Sequence, residues 1–90
     1  MKKITDKIEA LIAVKKDGLS LNCFSDKLRD NEEIVKIAVK KYGKALNYVR
    51  DRLRDNEEIV RIAVKQNSWA LEYASDRLQD DVELQKLANN

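Results

Sequence analysis

Three acidic pairs are the first candidates for chemistry: Glu32-Glu33, Glu57-Glu58 and Asp80-Asp81. Paired carboxylates can ligate a hard cation, or divide acid and base roles between them. Their usual companion is missing, because the chain has no histidine, the commonest general base and metal ligand. The one cysteine, Cys23, has no histidine to activate it, and the equivalent positions further along are Tyr48 and Tyr73. Cys23 therefore reads as a small core or half-buried residue, not a nucleophile. No glycine-rich phosphate loop, zinc spacing or calcium-loop pattern occurs. The acidic pairs have a structural explanation. Each stands where a helix begins, where carboxylates accept from unpaired N–H groups and oppose the positive end of the helix dipole. The expectation is a protein without catalysis, metal or cofactor.

The elements that place these residues repeat. Asp26-Lys27-Leu28-Arg29-Asp30-Asn31-Glu32-Glu33-Ile34-Val35 returns as Asp51-Arg52-Leu53-Arg54-Asp55-Asn56-Glu57-Glu58-Ile59-Val60. The offset, about 25 residues, lies in the range of stacked helical units. There is no proline and little glycine, which favours helices over turn-rich β structure. Each unit reads as two short helices. The first starts at Asp30 or Asp55 as N-cap, with Glu33 at the third position closing a capping box. Its apolar face is Ile34, Val35, Ala38 and Val39. Lys40 and Lys41 suit the negative end of the dipole, and Gly43 suits a left-handed residue that stops the helix, a role open to Asn67 in the next unit. The second helix runs from about Ala45 to Leu53, with Leu46, Val49 and Leu53 as its stripe. Leu21, Phe24, Leu28 and Leu71, Ala74, Leu78 repeat that stripe. Helices this short are marginal alone in water, so the units must stack.

The predicted fold is all-α: tandem two-helix repeats stacked into a short right-handed solenoid or bundle of about seven short helices. One domain covers residues 1–90, with units near 1–25, 26–50 and 51–75 and a capping helix over 76–90. The departures from the repeat suggest where the stack closes. The Ile34, Ile59, Leu84 column becomes Glu9 in the first unit. The Val35, Val60 and Val39, Val64 columns become Gln85 and Asn89 in the last. The Ile34 column is expected to face the preceding unit, and the Val35 and Val39 columns the following one, with polar residues capping a complete stack. Ile4, Ile8 and Leu11 form an extra stripe on the first helix. Either it is buried in its own unit, or it is an exposed patch through which two copies pair as a homodimer.

From Trp69 to Ala74 and on to Asp81, the string Trp69-Ala70-Leu71-Glu72-Tyr73-Ala74-Ser75-Asp76-Arg77-Leu78-Gln79-Asp80-Asp81 resembles a known tandem repeat. With Ile62-Ala63-Val64-Lys65-Gln66-Asn67 before it, the chain is similar to the family catalogued as domain of unknown function 4116, found in bacterial and some viral proteins. Ser68 departs from the glycine of that pattern, which Gly18 and Gly43 keep. The resemblance implies an all-helical tandem repeat and brings no catalytic or ligand residues.

The charge balance is 18 Lys+Arg against 16 Asp+Glu, a net +2. That balance does not by itself point to nucleic acid or an anionic membrane. Basic residues do recur in columns, among them Lys27, Arg52, Arg77 and Lys36, Arg61, Lys86. A nucleic-acid-binding repeat built on them is the alternative reading. Glu32 before Lys36 and Glu57 before Arg61 instead suggest self-neutralising helix surface at i, i+4. Trp69 follows Leu19 and Lys44 in the most varied column, and it either packs between units or anchors a partner. The candidate partner surface is Trp69, Lys44, Gln66, Asn47 and Glu72, the freer positions around the same turns. The functional expectation is a protein–protein interaction module with an unknown protein partner, or else a structural spacer. No apolar run reaches membrane-spanning length, and Asp6, Lys7 and Glu9 interrupt any signal-peptide core. A lone cysteine suits a reducing compartment. The expected location is cytoplasmic, with signal-independent secretion left open.

Overall fold

The computed structural model describes residues 5–89. The described residues form ten helices joined by short connections, with no β-strand among them. Four α-helices carry the repeat: α1 (Lys7–Lys16), α3 (Glu32–Lys41), α5 (Glu57–Gln66) and the shorter α7 (Val82–Ala88). Each of the first three is followed by a six-residue 3₁₀ helix: η1 (Gly18–Cys23), η2 (Gly43–Tyr48) and η3 (Ser68–Tyr73). A single α turn then closes the unit: α2 (Asp26–Arg29), α4 (Asp51–Arg54) and α6 (Asp76–Gln79). The expected second helix is thus two pieces. Its leucine stripe is buried all the same, with Leu46, Val49 and Leu53 at 4% exposure or less. Leu71, in the last of these stripes, is only half-buried.

The two middle long helices, α3 and α5, do not begin on Asp30 and Asp55. Asn31 and Asn56 are the N-caps, and their side-chain oxygens accept from Ile34 N (3.1 Å) and Ile59 N (3.0 Å). Glu33 accordingly falls one position too early for a capping box. Asp30 and Asp55 close the preceding one-turn helices instead. The stop signal also differs from expectation. No residue among those described has positive φ. α3 and α5 end at Tyr42 and Asn67 in extended conformation, φ −140° and −153°. Gly43 is needed for close approach: a Cβ there would lie 2.4 Å from the Ala63 carbonyl oxygen. Gly18 meets the Ala38 carbonyl in the same way, at 2.7 Å.

Units stack in sequence order. Each long helix packs on the next, as α1 on α3, α3 on α5 and α5 on α7, and each 3₁₀ helix packs on the next. The result measures 39 × 21 × 20 Å, a row of long helices backed by a row of 3₁₀ helices. The core lies between the rows, and in the middle units Ile34, Val35, Ala38, Val39, Ile59 and Val60 are all fully buried. The outer helices show direction. In α1, Ala10 and Val14 are buried while Glu9 is exposed. In α7, Leu84 is buried while Gln85 is exposed. The Ile34 column therefore faces backward along the chain and the Val35 and Val39 columns forward. The α1 stripe is not buried in its own unit: Ile8 is 70% exposed, Leu11 is half-buried, and Ile4 lies outside the described residues. Among the described residues no helix packs on the backward side of α1, and Ile12 is exposed too.

Candidate functional site

Four of the six paired carboxylates have structural tasks. Glu57 pairs with Arg61 at 2.6 Å, Glu58 with Lys36 at 3.0 Å, and Glu33 with Lys7 at 3.2 Å. Lys36 thus reaches across to the next unit, not back to Glu32. Its ammonium pKa is raised, chiefly by the hydrogen bond and charge of Glu58. Asp81 caps α7, accepting from Leu84 N at 3.0 Å. Among the described residues no group of three or more His, Cys, Asp or Glu could hold a metal ion. Cys23 is exposed, not in the core.

The arginines of the basic columns are likewise engaged. Arg52 Nε donates to Asp30 Oδ1 (3.1 Å) and its terminal nitrogen to the Asp30 carbonyl (2.9 Å). Arg77 repeats both contacts on Asp55, at 3.0 Å each. Asp55 also accepts from the Ser75 hydroxyl at 2.6 Å, and that hydrogen bond, with those from Arg77, lowers its pKa. Arg54 bonds to Asp51 within one turn and lowers the Asp51 pKa. Backbone bonds run alongside: Arg50 N donates to Arg29 O, and Ser75 N to Arg54 O. Nothing in the single sequence paired residues so far apart. The recurrence of Asp30 with Asp55 and of Arg52 with Arg77 is the signal that could have found them.

The varied positions behave differently. A 3₁₀ helix has three residues per turn, so side chains at i and i+3 lie above one another. In η2 these are Lys44 and Asn47, and in η3 they are Trp69 and Glu72; all four are exposed. The opposite sides, Ala45, Leu46 and Ala70, are fully buried. Two adjacent 3₁₀ helices therefore present one shared outer face. Trp69 is 68% exposed and does not pack between units. Its backbone N–H is held by Asn67 Oδ1 at 3.0 Å, and the Lys44 ammonium stands 5.8 Å from its ring centroid, within cation–π range. Glu72 shares one depression with Trp69 and Gln79, and a second groove with Asn47 and Tyr73. Gln66 is set apart from these four. Its Oε1 accepts from the Gly43 backbone N–H, so it holds the start of η2.

A family model described as Domain of unknown function (DUF4116) matches residues 6–54, 32–79 and 56–88. The chain belongs to the DUF4116 family. The DUF4116 segments begin at or beside the N-cap of a long helix and end with a one-turn helix or with α7. The first two matches each span two stacked units, so the family pattern includes the interface between neighbours. No curated protein and no solved structure matches the chain. No helix among the described residues is long and apolar enough to cross a membrane.

Proposed function

We propose that this DUF4116 chain is a non-catalytic helical-repeat module that binds another protein through the outer face of η2 and η3. One observation carries the reading: Lys44, Asn47, Trp69 and Glu72, the residues least constrained by the repeat, converge on one solvent-facing surface. Tryptophan at the centre of such a surface is the residue type richest in binding hot spots. Its ring is already steadied by Lys44, so little side-chain freedom is lost on docking. The framework columns hold the stack and leave this face free to vary. Four of the six paired carboxylates that could have done acid–base chemistry serve as a cap or as ion-pair partners, which supports a role without catalysis. Affinity capture from the native cells with wild type and Trp69→Ala tests it. The expected outcome is a specific protein retained at moderate salt by wild type and lost with Trp69→Ala. Equal capture by both proteins would refute the assignment of the face.

A second reading, self-association through α1, draws on the 70% exposure of Ile8 and the 55% exposure of Ile12. Isolated exposed apolar residues are ordinary, but two a helical turn apart on one face make a patch. Sedimentation analysis of wild type and Ile8→Glu is decisive: a concentration-dependent dimer that the substitution abolishes supports it, and a monomeric wild type rejects it.

A further inference from the structure

The side of the molecule away from the 3₁₀ row carries a second pattern. Ile12, Ile37, Ile62 and Leu87 occupy equivalent positions on successive long helices. None is fully buried: Ile12 is exposed, and the other three are half-buried. They form an apolar stripe crossing the row of helices along the 39 Å length of the molecule. Three residues further along α1, α3 and α5 stand Lys15, Lys40 and Lys65, all exposed and without an ion-pair partner among the described residues. Ile62, Gln66, Lys40 and Lys65 line one shallow depression, so two of these ammonium groups border a largely apolar floor. On the other side of the stripe Glu33 and Glu58 are already paired, with Lys7 and Lys36.

We propose that this stripe is the docking surface for an acidic amphipathic α-helix of a partner protein. Three points select that occupant. The unpaired lysines run along one border only, so the complementary ligand has carboxylates on one side of an apolar ridge. The apolar floor is aliphatic, which suits leucine-type side chains and gives a nucleic acid no aromatic surface on which to stack bases. The spacing favours a helix. Neighbouring packed helices lie about 8–10 Å apart, and residues seven apart on a partner helix rise about 10.5 Å at 1.5 Å per residue. One apolar and one acidic residue every seven positions would then meet each unit in turn. A second copy of the chain fits less well, because ten of its sixteen carboxylates are already engaged in ion pairs or caps. This surface is separate from the Trp69 face, and the proposal does not depend on that reading.

The test uses a fluorescein-labelled synthetic helix of about 28 residues, long enough to span the 39 Å, with leucine and glutamate each repeating every seven residues. Anisotropy is followed for the whole chain, for Lys40→Glu/Lys65→Glu, for Ile62→Ser and for Trp69→Ala. Far-UV circular dichroism checks that each variant is folded. Saturable binding is expected, weakened at least tenfold by the double charge reversal and by Ile62→Ser and unchanged by Trp69→Ala. A peptide with lysine in place of glutamate should not bind. No binding of the acidic helix to the wild type overturns the proposal. So does binding that survives the charge reversal, or binding indifferent to Ile62→Ser. Tighter binding of a labelled single-stranded RNA than of the acidic helix, lost in the lysine variant, would reassign the face to nucleic acid and overturn it as well.

Discussion

Asn56 and Asp55 stand side by side at the start of α5, and their different partners make separable predictions. The Asn56 oxygen satisfies the Ile59 N–H, so Asn56→Ala should cost about 1 kcal/mol in chemical denaturation, the usual worth of a cap. The same reasoning governs Gly43. A methyl there would sit 2.4 Å from the Ala63 carbonyl oxygen, a backbone atom that cannot step aside alone. Gly43→Ala should therefore destabilise by about 1–3 kcal/mol, as overpacking does, whereas Ser68→Ala in the same column should stay within about 0.5 kcal/mol. Comparable losses at Gly43 and Ser68 would show that the close approach is not what selects glycine. The sequence made both columns visible and misassigned their mechanism. Asp followed by Asn offers two good caps in adjacent positions, and local propensity does not choose between them. Glycine after a lysine pair suits a left-handed stop equally well, because the carbonyl it must clear belongs to a unit about 20 residues away.

Elements show a similar division between what is local and what is not. The leucine stripe was readable because burial at helical spacing leaves its mark on residue type. The break of the second helix into a 3₁₀ segment and one α turn was not readable, since spacings of three and seven fit either geometry. What the break provides is a second N-cap in each unit. Ser25 and Ser75 fill it, each accepting from a leucine N–H at 3.4 Å, but Arg50 occupies the middle position and makes no side-chain cap bond. Its backbone already has the extended geometry of a cap, φ −69° and ψ 154°, close to the −60° and 158° of Ser75. Arg50→Ser should thus add a cap without strain. The ion pair it gives up, Arg50 with Asp26 at 3.7 Å, is exposed at both ends and contributes little. A gain of about 0.5–1 kcal/mol is expected, seen as a rise of several degrees in the melting midpoint. A lower midpoint would mean that Arg50 holds the surface in a way the ion pair does not describe.

At the scale of the whole molecule, the stack is joined by buried aliphatic faces and, at its surface, by charged contacts that cross from unit to unit. The two kinds of contact respond differently to pH. Without a histidine the chain has no side chain whose ordinary pKa lies between pH 5 and 8, so stability should be flat across that range. The carboxyl pKa of Asp55 is held below its ordinary 3.8 by the Ser75 and Arg77 hydrogen bonds, and that of Asp51 by Arg54. A carboxylate whose folded pKa is lowered binds its proton more readily in the unfolded chain. Its contribution is therefore complete above pH 3.8 and is lost as the pH falls through the lower folded value. Lys36 has the opposite sign: its contribution is complete below 10.5 and is lost as the pH rises through the raised value. Thermal unfolding followed from pH 2 to 8 should show a level midpoint down to about pH 4 and then a decline. Asp55→Asn should lower the plateau and make the acid decline shallower, because the group that titrates between units is gone. Asp51→Asn should change the acid decline in the same direction, while leaving intact the bridge between α4 and α6 that Asp55 anchors. Hydrogen exchange separates the two. Only Asp55→Asn should speed exchange at the Ser75 N–H, which is bonded to Arg54 O at 3.0 Å beside the Arg77 bridge. Equal acceleration of Ser75 exchange by both substitutions would show that neighbouring units are held together without help from their charges.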